Sequence, residues 1–476
     1  MKNISRKCIT ELLFIIFLSF VFLDLEAQKR DRLPNIIYIL ADDLGYGDLG
    51  CYGQEKIKTP HIDQLANRGK RFTNFYAGST VCAPSRAALM TGKHTGHVSI
   101  RGNGEFPLPK EEKTISEVLK QKGYVNGMMG KWGLGLAGTS GSPETRGWDY
   151  FSGHAHHVEG HYQHPDSAWK ILHNQLIKIK VPDNLYVNEW FTNEAINFIN
   201  KEKENPFFLY LSFTLPHAEL VVPDQYLKQY LNEKGESVFV PEHAHLPGQH
   251  YGPQPNPKAA YAAMVTQMDD YVGRVVKRIN ELGLDDETII IFTSDNGTHI
   301  EGGRKLTDAI DYFQSSGPFK GIKRDMYEGG IRVPFIIRWD KQIQNGSITD
   351  LPAANWDMMA SFAEIAQIAT PSFDGISLVP IWKNQLSKSA IRKYSNRSFY
   401  WEFYEQGYKQ AVRKGNWKAI RYYKESQPVR TELYNLSHDR GETNDLSSTQ
   451  PAVVKELEKI MNEQRKPSDN AAFQIK

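Results

Sequence analysis

Three short and almost wholly apolar runs, each followed at once by polar or charged residues, constrain the fold of this chain more than any other feature. They span residues 35–40, 206–213 and 288–293. Runs of this length without a polar face are typical of strands that are buried on both faces of a sheet. Because ligands bind beyond the carboxyl ends of such strands in open α/β sheets, the residues after each run are candidate functional residues.

Two of these runs are followed by a pair of oxygen-bearing side chains. Asp42 and Asp43 follow the first run, and Asp295 and Asn296 follow the third. Neighbouring carboxylates repel each other unless a cation lies between them, and hard oxygen ligands suit Ca²⁺ or Mg²⁺. Either pair alone could be a polar loop or a helix cap. Their recurrence after separate strands favours one metal site built from all four side chains.

Cys82 lies between a loop of small residues and a short predicted helix. Pro84 stands near the first helical position and Gly92 is the expected terminator, so Cys82 occupies the helix N-terminus. The free N–H groups and the positive end of the helix dipole would lower the pKa of a thiol there and favour a bound anion. For an isolated cysteine, a buried and inert thiol is the alternative interpretation.

Lys131 and His217 also follow predicted strands. Lys131 comes just after a predicted strand at residues 124–129, where an ammonium group would meet an anion, and His217 could protonate a leaving alkoxide near neutral pH. A solvated lysine and a structural histidine are the alternatives. The chain has 57 basic and 55 acidic residues and a net charge of +2. No global field therefore attracts nucleic acid, and an anionic substrate requires such local cations.

Two histidine-rich loops supply further candidates. The first carries three donor side chains: His94, His97 and Arg101. These could line a pocket or hydrate a surface. The second loop holds five histidines within residues 154–164 and is interpreted as a sugar or sulfate contact, with His161 as the first candidate. A zinc site is the alternative, although this loop shows no metal-ligand spacing on a recognisable helix.

The first 27 residues have the pattern of a signal peptide. Basic residues precede an apolar run at 12–23, and residues 25–27 offer a cleavage site, so the mature chain would begin near Gln28. A retained anchor is the alternative, but the run is short for a membrane span. We therefore expect an exported protein, periplasmic or secreted, without a membrane span in the mature chain.

Composition divides the mature chain into two parts. A polar and basic stretch indicates a boundary between an N-terminal catalytic domain at 28–390 and a C-terminal α+β subdomain at 391–476. The subdomain shows strand-like alternation followed by a predicted closing helix. Within the larger part, residues 224–257 are predicted to form an irregular insertion near the substrate, and residues 260–282 a long helix.

The segment that begins at Cys82 reads Cys-x-Pro-Ser-Arg-x-x-Leu-x-Thr-Gly and resembles the signature of the type I sulfatases. In that family the cysteine is oxidised to Cα-formylglycine, whose hydrated aldehyde is the nucleophile. Further matches lie near residues 42, 131, 217, 295 and 323, so the resemblance covers nearly the whole mature chain. It implies the alkaline phosphatase-like α/β fold, in which helices sandwich a large mixed β-sheet and a smaller C-terminal antiparallel sheet packs with a helix.

The resemblance implies a sulfuric ester hydrolase that uses Ca²⁺ and a formylglycine made from Cys82 by a separate maturation enzyme. One hydroxyl of the hydrate would attack sulfur, and deprotonation of the other would expel sulfate and restore the aldehyde. The implied metal ligands are Asp42, Asp43, Cys82, Asp295 and Asn296. The implied catalytic residues are Cys82, Arg86 to steady the hydrate, Lys131 and Lys323 to balance charge on the sulfate, and His217 as general acid. Whether His217 or Lys323 gives the proton stays open.

One position departs from the family pattern. Type I sulfatases usually show Gly-Lys-Trp-His-Leu-Gly, whereas this chain has Gly133 in place of the histidine. A sulfate contact is therefore missing or supplied from elsewhere, with His161 as candidate. The expected substrate contacts are His94, His97, Arg101, His161 and His299. Similarity to exported bacterial glycan sulfatases implies a 6-O- or 4-O-sulfate of galactose or N-acetylgalactosamine.

Two other functions fit parts of the pattern. A phosphomonoesterase or phosphodiesterase of the same superfamily would attack phosphorus with a hydroxyl or an unmodified thiol, but would not need the segment that begins at Cys82. A catalytically inactive protein that binds sulfated glycans would explain the glycine at position 133. It would not explain the complete set of metal ligands together with both lysines.

Overall fold

The computed structural model of the protein describes residues 32–183, 185–369 and 373–475. The predicted signal peptide lies outside these ranges. Among the described residues, no helix combines the length and the apolar character that crossing a membrane requires.

A mixed ten-stranded sheet forms the centre of the molecule. In the described part of the chain the strands are β1 (Asn35–Ala41), β2 (Lys70–Phe72), β3 (Phe75–Tyr76), β4 (Val125–Lys131), β5 (Tyr150–His154), β6 (Ser167–Leu172), β7 (Gln175–Lys180), β8 (Phe207–Ser212), β9 (Thr288–Ser294), β10 (Phe335–Arg338), β11 (Ser347–Thr349), β12 (Ala353–Ala354), β13 (Ser398–Phe403), β14 (Lys409–Lys414), β15 (Trp417–Lys424) and β16 (Gln427–Asn435). The order across the large sheet is β11-β2-β10-β9-β1-β8-β4-β5-β6-β7. Strands β9, β1, β8, β4 and β5 run parallel, whereas β10 and β6 pair antiparallel with this group.

Helices cover both faces of the large sheet. Those of the described residues are α1 (Pro60–Asn67), α2 (Cys82–Thr91), α3 (Ile115–Lys120), α4 (Val187–Glu202), α5 (Asp224–Leu227), α6 (Pro257–Glu281), α7 (Glu328–Ile331), α8 (Asp357–Ile365), α9 (Val379–Trp382), α10 (Lys388–Asn396) and α11 (Pro451–Gln464). One apolar cluster packs α1, α4 and α6 on the sheet, and a second packs α2, α3, α8 and α9 on the opposite face. Ile37 and Ile39 of β1 face the first cluster, while Ile36, Tyr38 and Leu40 face the second. The strand is therefore apolar on both sides, as its sequence predicts.

The predicted elements agree with the structure in the core and are less regular outside it. The helix predicted at 260–282 is α6, and the strand predicted at 124–129 is β4. The insertion at 224–257 is irregular apart from α5 and a short 3-10 turn. The polar stretch that suggested a domain boundary contains α10, whose first turn is capped by Ser387, with its Oγ accepting the Ala390 N–H at 3.1 Å. The division of the chain at residue 390 stays a prediction.

A four-stranded antiparallel sheet, β13 to β16, forms the C-terminal part, as expected. One face of this sheet packs against the larger part of the protein through Phe399, Trp401 and Phe403. The opposite face is covered by α11 through Leu457 and Met461. Both faces of the small sheet are therefore buried.

A buried ion cluster also joins the two parts. The Nζ atom of Lys418 in β15 lies 3.0 Å from Glu328 Oε1 in α7 and 2.8 Å from Glu442 Oε1, and no part of these side chains reaches solvent. Although burial alone would raise it, Lys418 and Arg332 lower the pKa of Glu328 to about 2. Burial raises the pKa of Glu442 to about 7, even though Lys418 opposes the shift. The lysine is the cation that these two carboxyl groups share.

Replacing Lys418 with methionine should destabilise the protein by about 3–5 kcal/mol, because two buried carboxyl groups would lose their shared cation. Urea unfolding followed by tryptophan fluorescence would measure the free energy of unfolding. Lys424→Met is the matched control, since Lys424 is exposed at the end of the same strand and its loss should change stability by less than about 0.5 kcal/mol. Equal stability of the two variants would contradict the role given to Lys418.

Candidate active site

Neighbouring parallel strands bring the predicted metal ligands and Lys131 to one edge of the large sheet. β1 leads into Asp42 and Asp43, β9 leads into Asp295 and Asn296, and β4 ends at Lys131. Strands β9, β1, β8 and β4 are adjacent, so their carboxyl ends lie side by side. Residues that are far apart in sequence meet here because the sheet order places these strands together.

The predicted ligand groups occupy one small buried volume. Asp42, Asp43, Cys82 and Asp295 each place a ligand atom within 4.8 Å of the others. Beside them, the Asn296 Nδ2 donates to Asp43 Oδ1 at 2.6 Å, while the Asn296 Oδ1 has no hydrogen-bond partner within the described chain. A buried amide oxygen without a donor is costly unless a cation takes its place. The oxygen-rich donor set therefore fits a Ca²⁺ or Mg²⁺ ion.

Cys82 begins α2, and Gly92 ends it with a φ of 68°, as predicted. The side chain is 3% exposed, and its Sγ–H donates to Asp42 Oδ1 at 3.2 Å. The expected lowering of the thiol pKa is wrong, because burial and Asp42 raise it well above its usual value. Desolvation and the neighbouring carboxylates outweigh the helix N-terminus. An unmodified thiol at this position is therefore neutral and a poor nucleophile.

Three buried cations balance the carboxylates. Each carboxylate has one close partner: Asp42 has Lys131 at 2.7 Å, Asp43 has Lys323 at 2.6 Å and Asp295 has Arg86 at 2.7 Å. Although burial alone would raise them, these cations hold the pKa values of Asp42 and Asp43 below their usual range. Burial and the two other carboxylates raise the pKa of Asp295 to about 7 against the opposing effect of Arg86. The predicted catalytic cations and the predicted ligands thus form one ionic cluster.

His217 follows β8 and joins the same cluster. Its Nδ1–H donates to the Ala218 carbonyl at 2.6 Å, which leaves Nε2 free to face the other groups. Nε2 lies 3.0 Å from Lys323 Nζ and 3.1 Å from Glu301 Oε2. A neutral ring can accept from the lysine, and a protonated ring can donate to the glutamate. Nε2 therefore has a partner in both protonation states, as a proton-transfer group requires.

Sequence reasoning missed Glu301 and Tyr251. The Glu301 carboxylate also lies 3.0 Å from Arg324 Nη1, and the Tyr251 hydroxyl donates to it at 3.3 Å. Although burial alone would raise it, the hydrogen bond to His217 and the charge of Lys323 hold the pKa of Glu301 well below its usual value. Glu301 could have been suspected from its closeness to the third strand end. Tyr251 lies in the irregular insertion and carries no sequence signal of its own.

The second histidine loop brings His161 and His157 to the site. The His161 ring stacks on His217 with centroids 4.3 Å apart, and its Nδ1 lies 3.1 Å from the Tyr251 hydroxyl. His157 follows at a centroid distance of 6.4 Å from His161. Burial, together with the nearby Lys131, lowers the pKa of His157 to about 4, so this ring is neutral at pH 7.

Four other side chains that were expected to contact substrate are engaged within the protein. Three of them tie the first histidine loop to later parts of the chain: His94 contacts Gln464 at 3.0 Å, His97 contacts Asp374 at 2.8 Å and Arg101 contacts Glu402 at 2.7 Å. His299 donates from Nε2 to the Pro216 carbonyl at 3.0 Å and accepts the Glu301 N–H at Nδ1. A loop donor looks the same in sequence whether its partner is substrate or protein, so only the fold separates the two.

Comparisons with known proteins agree with this architecture. The sulfatase family model matches residues 34–368, and a model described as N-sulphoglucosamine sulphohydrolase, C-terminal, matches residues 319–467. An N-acetylgalactosamine-6-O-sulfatase of Bacteroides thetaiotaomicron is 29% identical, over 91% of this chain and 93% of its own length. A steryl-sulfatase of Homo sapiens is 28% identical, over 94% of this chain and 90% of its own length.

Solved structures share the fold. The structure of Ps i-CgsB in complex with k-i-k-neocarrahexaose is 28% identical with a TM-score of 0.73, covering 90% of this chain and 93% of that chain. A phosphonate monoester hydrolase of Agrobacterium radiobacter has 20% identity and a TM-score of 0.64, over 90% of this chain and 94% of that chain, which shows the fold alone. Since the sulfatase model spans most of the chain and the two relatives named above match over at least 90% of their lengths, the chain belongs to the type I sulfatase family of the alkaline phosphatase superfamily and is a sulfuric ester hydrolase.

Proposed function

We propose that the protein removes O-sulfate from a sulfated carbohydrate, with oxidised Cys82 as the nucleophile. The observation that carries this proposal is the position of Cys82, whose Sγ lies 3.2 Å from Asp42 Oδ1 inside a buried cluster of carboxylates and cations. A sulfate ester needs cations around its oxygens in the transition state. It also needs an attacking group stronger than a neutral thiol or hydroxyl.

Oxidation of Cys82 by a formylglycine-generating enzyme would meet this need. The hydrated aldehyde would supply one hydroxyl to attack sulfur and a second whose deprotonation releases sulfate and restores the aldehyde. Arg86 supports the position from the same helix, since its Nη2 lies 3.3 Å from Asp42 Oδ1 and 2.7 Å from Asp295 Oδ2. Arg86 thus keeps two carboxylates beside the first turn of α2.

Asp42, Asp43, Asp295 and Asn296 would hold Ca²⁺, together with the oxidised residue 82. The ion would supply positive charge next to the attacking hydroxyl and so lower its pKa. The buried Asn296 Oδ1, which has no hydrogen-bond partner among the described residues, supports this ligand set. With Asp42 and Asp43 engaged in this way, the ammonium groups of Lys131 and Lys323, which now pair with them, would bind the sulfate oxygens.

We assign the proton for the leaving sugar oxygen to His217. Its Nδ1–H is held by the Ala218 carbonyl, so Nε2 is the position that can transfer a proton. Glu301 Oε2, 3.1 Å from Nε2, can accept a hydrogen bond from the protonated ring. Lys323, 3.0 Å from Nε2, is the alternative donor.

We assign the sulfate contact that Gly133 cannot make to His161. The His161 ring stacks on His217 and so stands beside the proposed proton donor. The Tyr251 hydroxyl, 3.1 Å from Nδ1, can donate to this nitrogen instead of to Glu301, so that Nε2 carries the ring proton as a donor. This arrangement leaves Nε2 of His161 for substrate.

The relatives support a sulfated saccharide as substrate. One is named for the 6-O-sulfate of N-acetylgalactosamine, and another was solved in complex with a neocarrahexaose. We therefore propose a 6-O-sulfate of galactose or N-acetylgalactosamine, with the 4-O-sulfate as the next candidate. We also propose that the protein is exported to the periplasm or secreted, because its first 27 residues have the pattern of a signal peptide. These residues lie outside the described ranges, so export stays a proposal.

Sulfate release from a panel of sulfated mono- and disaccharides should be abolished in Cys82→Ala, because this variant cannot form the aldehyde. Mass spectrometry of the active protein should show aldehyde instead of thiol in the peptide that contains Cys82. Cys51→Ser is the matched control and should keep both activity and the modification. A purely thiol protein with full activity on phosphate esters would contradict the proposal. An aldehyde-bearing protein that releases no sulfate would favour a glycan-binding role.

His217→Gln should lower kcat on a sugar sulfate by about 10²–10⁴-fold, because an alkoxide is a poor leaving group without a proton. On 4-nitrophenyl sulfate the loss should be much smaller, since nitrophenolate leaves unprotonated. Lys323→Gln should lower both activities alike, because the lysine is assigned to the sulfate oxygens. The reverse pattern, with the leaving-group dependence seen in Lys323→Gln, would assign the proton to the lysine.

His161→Ala should lower kcat/KM by about 10²-fold, the size expected for one lost donor to a developing anion. His164→Ala is the matched control, because His164 is exposed in the same segment and packs on Tyr186. Initial rates on the best sugar sulfate of the panel would test the pair. Unchanged turnover in His161→Ala would remove this residue from the site.

A further inference from the structure

We propose that the cavity beside Gly133 is a subsite for an unsulfated sugar ring joined to the sulfated one, so that the enzyme acts on oligosaccharides; this inference rests on the proposed function. The cavity measures about 160 Å³. Its lining includes Phe106, Pro107, Gly133, Leu136, His156 and His157. None of these residues belongs to the ionic cluster.

Three parts of the cavity lining are linked to residues at the ionic cluster. Gly133 lies two residues after Lys131, whose Nζ is 2.7 Å from Asp42. The second part, residues 104–107, follows Asn103, whose Oδ1 accepts the Ala83 N–H at 3.1 Å, next to Cys82. A sugar bound here is therefore within reach of the same edge of the sheet.

A row of imidazole rings forms the third link. His156 stacks on His157 with centroids 4.6 Å apart, His157 meets His161 at 6.4 Å, and His161 stacks on His217 at 4.3 Å. The row runs without a break from the cavity wall to the proposed proton donor. A saccharide that places its leaving oxygen at His217 could extend along this row.

Gly133 keeps the cavity open. A Cβ atom at this position would meet only the His157 Cβ, at 3.6 Å, so a longer side chain would take up space in the cavity. Gly133 also has a φ of 76°, in the left-handed region that favours glycine. The positive φ therefore favours glycine at position 133, and the absence of a side chain leaves the cavity open.

The size of the cavity suits one six-membered ring. A closed protein cavity of about 150 Å³ accepts benzene; this one is of similar volume but open to solvent, so a sugar ring can enter it while its hydroxyl groups extend outside. Phe106 offers an aromatic face, which is held in place by the edge-to-face contact with Phe473 at 4.8 Å. Sugar rings combine apolar C–H faces with hydroxyl groups, and sites for such ligands pair apolar surface with a few polar groups.

The polar groups of the cavity favour an uncharged sugar. Glu105 Oε1 lies 2.8 Å from His156 Nε2 at the rim, and the Glu105 side chain is 62% exposed. A carboxylate at this place repels a second sulfate group. The neutral ring of His157 can exchange hydrogen bonds with a hydroxyl group but carries no charge to attract an anion.

The test compares kcat/KM for a sulfated monosaccharide with kcat/KM for two disaccharides. The monosaccharide is N-acetylgalactosamine 6-O-sulfate, or whichever one the panel shows to be cleaved. Each disaccharide carries the same sulfated unit with a neutral galactose joined on one side or the other. In the wild-type protein one disaccharide should be preferred by about tenfold, the effect of one good ring contact. Leu136→Trp fills the cavity and should bring this ratio close to one. Ala137→Trp, an exposed neighbour outside the cavity, should leave the ratio unchanged.

Glu105→Gln is a second test of the subsite in case Leu136→Trp does not fold. Glu105 is exposed and therefore tolerates substitution. In this variant, kcat/KM for a disaccharide that carries a second sulfate should rise relative to kcat/KM for the neutral disaccharide. Equal kcat/KM values for mono- and disaccharides in the wild-type protein would overturn the subsite and leave the proposed function intact. If no substrate releases sulfate, the proposed function fails, and calorimetry with the unsulfated disaccharide decides the subsite: binding lost in Leu136→Trp supports it, and no binding to the wild type overturns it.

Discussion

Pairing of buried charges is the constraint on which the rest of this structure depends. Three carboxylates lie at the carboxyl edge of the large sheet without access to water, and each has one cation within 2.7 Å. An unpaired charge at such a position would cost several kcal/mol. The pairs form only if β9, β1, β8 and β4 are neighbours with their ends aligned. The order of the strands therefore determines whether the charged residues of the candidate site can pair.

The C-terminal part takes part in the same arrangement. Lys323, which pairs with Asp43, lies five residues before Glu328, which pairs with Lys418 of the small sheet. Two buried ion pairs thus hold both ends of a short segment. The docking of the small sheet therefore also fixes the segment that carries a proposed catalytic lysine.

Much of the fold and of the ionic cluster could be predicted from the sequence. The apolar runs became central strands, and the polar residues after them met at one edge, because strand burial and the position of ligand sites follow general rules. Prediction was weaker for groups without a motif. Glu301 and Tyr251 come from loops, and the contacts of His94 and Arg101 depend on where the C-terminal part docks. The thiol of Cys82 showed the same limit, since a helix N-terminus predicts one direction of pKa shift and burial imposed the other.

The sequence by itself determined which segments form buried strands, where the helix of Cys82 begins and which family the chain resembles, because these are properties of short stretches of residues. Only the tertiary structure decided which cation serves which carboxylate, which histidines reach the site and which are held by the protein. Those choices depend on distances between groups that are hundreds of residues apart, such as Lys323 and Asp43. Such distances are set by sheet order and packing, which no local pattern encodes.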